Sequence, residues 1–345
     1  MDTHAAEPAA LNPSQEIIEL EKQYLLQNYG RYPLVLDHGK GVYLYDLDGK
    51  RYLDLISGIG VNALGHAHPR ITKVIREQAG LLIHTSNLYY HRYQGALARK
   101  IAETSGLERV FFCNSGAEAT EGALKMCKSH GRAISPDKYE VIALHDSFHG
   151  RTIGALALTG QPKYQKDFEP LMPGVRFVHR RNDEELEQVF NERTCGIFIE
   201  GIQGEGGINP ICRRFYEKAR QLCDRYDALL VGDEIQSGVG RPGVHYAYQL
   251  HSPVVMPDIL VAAKPVAAGL PLGFIAVNAR AAASIKPGMH GTTAALWLAG
   301  SRSSSTKCST ACSRELHKLA STSARSYANC SASFTSSRKY AAMAS

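Results

Sequence analysis

The sequence predicts an α/β fold: a mostly parallel sheet covered by helices on both faces. Three observations lead there. From about residue 70, short continuous apolar runs alternate with helical segments. The runs are rich in Val and Ile, as strands buried on both faces are. Each cluster of chemistry-bearing polar residues follows directly on such a run, at the carboxyl end where sheets of this kind bind ligands. With 345 residues, 44% hydrophobic and 21% charged, the chain is long enough for one large or two ordinary domains with a sizeable core.

Taken in order, a leading helix is expected from about Gln15 to Leu26. The alternating stretch "GVYLYDLDGKRYLDLISG" around an Asp-Gly turn reads as a β-hairpin. The strands that follow are "RVFFCN", "EVIALH", "VRFVH", "CGIFIEG", "ALLVGDE", "DILVAA" and "LGFIAVN". The N-terminal residues have neither the basic nor the apolar region of a secretory signal, and no apolar run approaches the roughly 20 residues of a membrane span. The cytoplasm is therefore the expected compartment, and no membrane partner is expected. The eight cysteines show no metal spacing and no C-x-x-C pair, so they read as free thiols and no metal is expected.

A net charge of +6 would ordinarily raise the question of nucleic acid. The excess is local, however. From Ala294 onward there are seven Lys or Arg and one acid, so residues 1–293 are electrically balanced and no nucleic-acid partner is expected.

Four clusters carry chemistry, each with an ordinary reading beside it. In "NSGAEATEGALKM", Asn114 or Ser115 can cap a helix beginning at about Ala117; with Gly116 its first N–H groups make an anion site suited to phosphate, or simply a cap. In "HDSFHGRT", Phe148 beside Arg151 could stack on a flat cofactor and bind a carboxylate, or form an ordinary loop. In "LLVGDEIQSGVGR", Asp233 ends an apolar strand and needs a partner, which a protonated pyridine nitrogen would supply. In "DILVAAKPVAAGLPLG", Lys264 closes the next strand, with Pro265 keeping it out of helix. It is either a snorkelling lysine or one that bonds to an aldehyde. Phosphate cup, stacking ring, carboxylate and lysine together are the parts that pyridoxal phosphate requires.

The motifs "GIGVNALGHAHP", "FFCNSGAEATEGALK", "SFHGRTIGALALTGQPKY", "IEGIQGEGGINP", "DEIQSGVGR" and "AAKPVAAGLPLG" resemble, in order, those of the class III, fold type I pyridoxal-phosphate aminotransferases, from about residue 20 to Thr293. The resemblance implies that Lys264 bonds to the cofactor's aldehyde and moves the proton. It implies that Asp233 keeps the ring nitrogen protonated. Ser115, Gly116 and Ala117 would hold the phosphate, Phe148 would stack on the ring, and Glu234, Ile235 and Gln236 would complete the cofactor site, Gln236 near the 3′ oxygen. Arg151 would bind the α-carboxylate of the amino donor, Glu205 would switch between the two substrates, and Thr292 would lie near the substrate. Thr293 would reach the phosphate of the neighbouring subunit of a homodimer. The implied reaction moves the δ-amino group of N2-acetylornithine to 2-oxoglutarate in arginine synthesis. Ornithine, succinylornithine or 4-aminobutyrate are alternative donors, and a non-catalytic chain that binds the cofactor is the alternative of another class.

Two departures from the family pattern stand out. Pro265 occupies a position where many relatives carry Gly. After "HGTT" the family continues with a Gly-Gly turn and an amphipathic helix, whereas this chain becomes Ser-rich, with 14 Ser in its last 52 residues. A disordered linker is the ordinary reading. Yet codons exist for residues 294–305 that, read one base upstream, spell "GGALACRVALEF", and "SASFTSSRKYAAMA" shifted likewise can spell "FGKFHFIKEVRGYG". Both segments are family-like. The expected organisation is thus an N-terminal helix and hairpin segment (1–60), a cofactor-binding large domain (61–293) and an out-of-frame, disordered tail (294–345). The small C-terminal domain would be missing, its arginine for the second substrate with it, and this chain would have little or no turnover.

Overall fold

The computed structural model describes residues 12–292; Thr293 and the expected out-of-frame tail lie outside the described residues. Contacts divide the chain into two compact units, parted between Pro69 and Arg70. In the first, a helix runs from Pro13 to Tyr24, held at its start by reciprocal bonds between Asn12 and Gln15. A three-stranded antiparallel meander follows: β1 (Leu36–Lys40), β2 (Tyr43–Asp46) and β3 (Arg51–Leu53). The β2–β3 hairpin is the one the Asp-Gly turn predicts. Asp46 Oδ1 accepts from Asp48 N and Lys50 N while Tyr52 OH donates to Oδ2, and Gly49 takes the left-handed φ of 77° that the turn requires. Residues beyond 60 stay in this unit because His66 returns to β1's end, bridging Gly41, and its Nε2 meets Asp54 Oδ2 at 2.7 Å.

The second unit is built on a seven-stranded sheet. Its strands are β4 (Arg109–Cys113), β5 (Glu140–Leu144), β6 (Val175–Val178), β7 (Thr194–Glu200), β10 (Leu229–Asp233), β11 (Ile259–Ala262) and β12 (Gly273–Val277), in the spatial order β4-β12-β11-β10-β7-β5-β6. A small pair, β8 (Ile202–Gln203) and β9 (Asn209–Pro210), stands apart from it. All seven predicted runs are strands of this sheet. β12 alone runs against the other six strands, which point one way and bring Cys113, Leu144, Val178, Glu200, Asp233 and Ala262 to one edge.

Alternate residues along each strand enter two different cores, which is why the runs are apolar without a break. On one face Ile142, Leu144, Ile197, Ile199, Leu230 and Leu260 pack with Leu97 and Ile101 of the helix Gln94–Ser105 and with Phe215 and Leu222 of the helix Arg213–Arg225. On the other, Val141, Ala143, Phe198, Val231, Val261 and Ile275 pack with Ala119, Ala123 and Cys127 of the helix Gly116–Ile134. This last helix lies close against the sheet: a Cβ added to Gly131 would fall 2.2 Å from Lys138 O and 2.6 Å from Cys195 Cβ. The five cysteines among the described residues are free, four of them buried.

Candidate active site

The strand ends set out the site. Asp233, the last residue of β10, is buried and doubly held: its Oδ1 accepts from Ile235 N at 3.0 Å, and its Oδ2 lies 2.6 Å from Nδ1 of His149. His149 is fully buried, and its Nε2 reaches no partner among the described residues. Burial works against a charged imidazole, but the hydrogen bond and charge of Asp233, with the charge of Glu200, outweigh it and raise the pKa of His149. Glu200 ends the adjacent strand β7 and accepts from Phe148 N (3.0 Å) and Gly204 N (3.4 Å). Burial, reinforced by the Asp233 charge, pushes the Glu200 carboxyl upward. Neither His149 nor Glu200 stands out in the sequence, although both lie inside motifs that do.

Lys264 follows the end of β11 and opens a short 3₁₀ turn, Lys264–Ala267, in which Pro265, Val266 and Ala267 are buried. Among the described residues its Nζ has no hydrogen-bond or ion-pair partner. Burial lowers its pKa, partly offset by the carboxylates of Glu205, Asp233 and Glu200. A half-buried amine with a depressed pKa is a nucleophile and a proton carrier near neutral pH.

At the end of β4 the helix Gly116–Ile134 begins, one residue before the expected start, with Ser115 rather than Asn114 as its cap: Ser115 Oγ accepts from Glu118 N at 3.1 Å. The N–H groups of Gly116 and Ala117 are left without acceptors among the described residues, at the positive end of a 19-residue helix. Ile235 packs onto this start, since a Cβ on Gly116 would meet Ile235 Cγ2 at 2.8 Å. Asn114 instead holds Thr292. Its Nδ2 lies 3.1 Å from Thr292 Oγ1, which donates to Glu118 Oε2 at 2.9 Å, and Asn87 Nδ2 donates to Thr292 O at 2.6 Å.

The remaining residues sit around this edge. Phe148 meets Tyr164 edge-on, and the exposed guanidinium of Arg151 lies 4.0 Å from the Tyr164 ring centroid and 5.6 Å from that of Phe148. No ion pair engages Arg151 among the described residues, so its donors are open to a carboxylate. Gln236 Nε2 donates to Glu205 Oε1 at 3.2 Å. Glu234 faces inward instead, its oxygens accepting from Ser237 Oγ (2.6 Å) and Tyr248 N (3.0 Å), and so braces the loop after β10.

Glu234 makes a test of its own. Burial pushes its carboxyl from 4.5 up to about 7, against the pull of Ser237 and the backbone N–H groups. The fold therefore prefers the protonated acid. That contribution is fully present below the unfolded value of 4.5 and is lost as pH rises through about 7. Glu234→Gln is expected to remove this slope. Wild type should lose about 3 kcal/mol relative to the variant across the interval, read as urea midpoints; two parallel curves would sink the assignment.

Pyridoxal phosphate fits this donor set. Adjacent strands β10 and β11 are closed by a buried carboxylate and, two residues beyond the strand end, by an amine without a partner among the described residues, and the open N–H groups of Gly116 and Ala117 provide for an anion. Comparison with known proteins agrees. Residues 24–296 match the family described as aminotransferase class-III. The acetylornithine aminotransferase of Methanocaldococcus jannaschii is 46% identical over 277 residues, 80% of this chain and 69% of that protein. The protein of the same name from Aquifex aeolicus is 45% identical over 271 residues, 78% of this chain and 72% of that one. Among solved structures, the ornithine aminotransferase of Toxoplasma gondii superposes with a TM-score of 0.80 at 31% identity, covering 90% of this chain and 73% of that one.

Proposed function

This chain belongs to the class-III aminotransferase family, whose members depend on pyridoxal phosphate, and from that premise we propose that its amino donor is N2-acetylornithine and its acceptor 2-oxoglutarate, in arginine biosynthesis. The observation that carries the reading of the site is the placement of Asp233 and Lys264 at the ends of two hydrogen-bonded parallel strands. The names of the two acetylornithine aminotransferases, at 45–46% identity, favour this donor.

When bound, the cofactor supplies an aldehyde that takes up an amino group and a protonated ring that draws electrons from the neighbouring carbon. The chain supplies the rest. Asp233, oriented by its 2.6 Å contact with His149, would hold the proton on the ring nitrogen with its carboxylate. Lys264 Nζ would take up and return the proton of the donor's amine-bearing carbon, and the burial that lowers its pKa keeps more of it in the basic form. Ser115, Gly116 and Ala117 bind the phosphate at the helix start. Phe148 stacks on the ring, with Glu234, Ile235 and Gln236 shaping the remainder of its site. Arg151 takes the donor's α-carboxylate, Glu205, which accepts from Gln236, stands at the family's substrate-switch position, and Thr292 stands near the substrate. The working unit is a homodimer in the cytoplasm, in which Thr293 reaches the neighbour's phosphate. Among the described residues no helix is long and apolar enough to cross a membrane.

Ornithine as donor is the second reading, favoured by the name of the Toxoplasma structure. A single-turnover half-reaction separates the two. Loaded with pyridoxal phosphate, the full chain is expected to lose its aldehyde absorption band with acetylornithine at least about 10-fold more efficiently than with ornithine, succinylornithine or 4-aminobutyrate. A faster reaction with ornithine moves the assignment there. Cofactor uptake with no bleaching by any donor identifies a non-catalytic binder.

The domain reading is proposed in the same way: the cofactor-binding large domain, which begins at Arg70 rather than at residue 61, extends to Thr293, and residues 294–345 are translated out of frame. Resequencing the codons for residues 285–300 tests it. A restored base there gives a chain expected to turn over far faster than the present one; if the frame stands, the codons for residues 294–345 read one base upstream are expected to spell a family-like continuation, and an upstream frame without one overturns the proposal.

A further inference from the structure

A second cluster lies on the same edge of the sheet. β5 and β6 pair in parallel with Leu144 opposite Val178, so the residues that follow, His145 and His179, emerge side by side. Their rings stack at 4.2 Å with 29° between planes, and the His145 ring also rests on Phe177 at 5.7 Å. Glu185 is brought to them from the helix Asp183–Val189. Its Oε2 accepts from His179 N at 2.9 Å and lies 3.0 Å from His179 Nδ1, while Asn182 Oδ1 accepts from Glu185 N at 3.0 Å. One ligand atom from each of the three residues lies within 4.8 Å of the other two.

We propose that His145, His179 and Glu185 form a binding site for a divalent transition-metal ion of the zinc class, separate from the cofactor centre. Two imidazoles and one carboxylate are a ligand set such an ion takes, with a further position left for water. Bond lengths of about 2.0–2.2 Å place tetrahedral donors roughly 3.4 Å apart, so donors that lie within 4.8 Å of one another close by up to about 1.4 Å around the ion. The parts are already held: His145 by backbone pairing to β6 and by Gln203 Nε2, which donates to His145 O at 2.8 Å, and Glu185 by the contacts above. A simple ion pair between His179 and Glu185 would leave the stacked His145 ring without a role.

Equilibrium dialysis of the full chain against zinc, with elemental analysis, tests this directly, and cobalt(II) substituted for zinc reports the ligand field by visible absorption. One ion per chain is expected in the wild type and in His38→Ala, an exposed control outside the cluster. In His179→Ala and Glu185→Gln affinity is expected to fall at least about 100-fold with loss of the cobalt spectrum, since each removes a direct ligand and even outer partners are worth 10–100-fold. His179 is largely exposed, so its replacement leaves the core intact. No uptake by wild type, or uptake unchanged in both variants, overturns the proposal.

Discussion

Lys264→Ala is expected to slow the half-reaction with the amino donor by about 10²–10⁴-fold, the range that a positioned proton-transfer group contributes. The structure separates this loss from a folding defect. Lys264 Nζ has no partner among the described residues, so its removal breaks no hydrogen bond, and the turn it opens is kept by buried Pro265, Val266 and Ala267. Cofactor uptake should survive through the helix start at Gly116 and the carboxylate of Asp233. Lys264→Arg should be as impaired as alanine, because a guanidinium does not give up its proton, whereas burial lowers the pKa of the lysine amine. A small primary amine added to Lys264→Ala should restore part of the rate by acting as a free base. Pre-loaded protein mixed rapidly with donor gives the rate; a loss of less than about 10-fold in the alanine variant would show that another group carries the proton.

The predicted strands are found because burial on both faces writes itself as an unbroken apolar run, as in "CGIFIE" and "ALLVGD", whose residues are all buried in β7 and β10. Direction is not written that way: nothing in "LGFIAVN" marks β12 as the strand antiparallel to both neighbours. β1 was invisible for a related reason, since "LDHGK" carries one apolar residue and becomes a strand only by pairing with β2. Within the site, Asp233 and Lys264 are conspicuous as charged residues at the ends of apolar runs. His149 is not, because what defines it is a contact with a residue 84 positions away. For the same reason the sequence supplied the ring nitrogen as Asp233's partner and missed the imidazole behind it. Glu200 is singled out only by the fold, which places the Phe148 and Gly204 N–H groups on it.

Asp233→Asn should separate the two tasks of that carboxylate. The amide keeps its shape and can still accept from Ile235 N, but it can neither stabilise a protonated ring nitrogen nor balance a charged His149. Loss of one preorganised electrostatic partner is worth about 10²–10³-fold in rate, and that is the fall expected in the half-reaction. The second effect appears without cofactor. His149 has a raised pKa in the fold, so the stability it contributes as an imidazolium is fully present below the unfolded histidine value of 6.5 and is lost as pH rises through the folded one. The variant should therefore be least stable relative to wild type on the acid side, by about 3–5 kcal/mol if the buried charge is left unpaired, and the gap should close as pH rises past the His149 pKa. Urea midpoints of both proteins across that range give the curve. A gap independent of pH would mean that His149 is neutral and only positions Asp233, whereas an unchanged rate in the variant would remove Asp233 from the chemistry altogether.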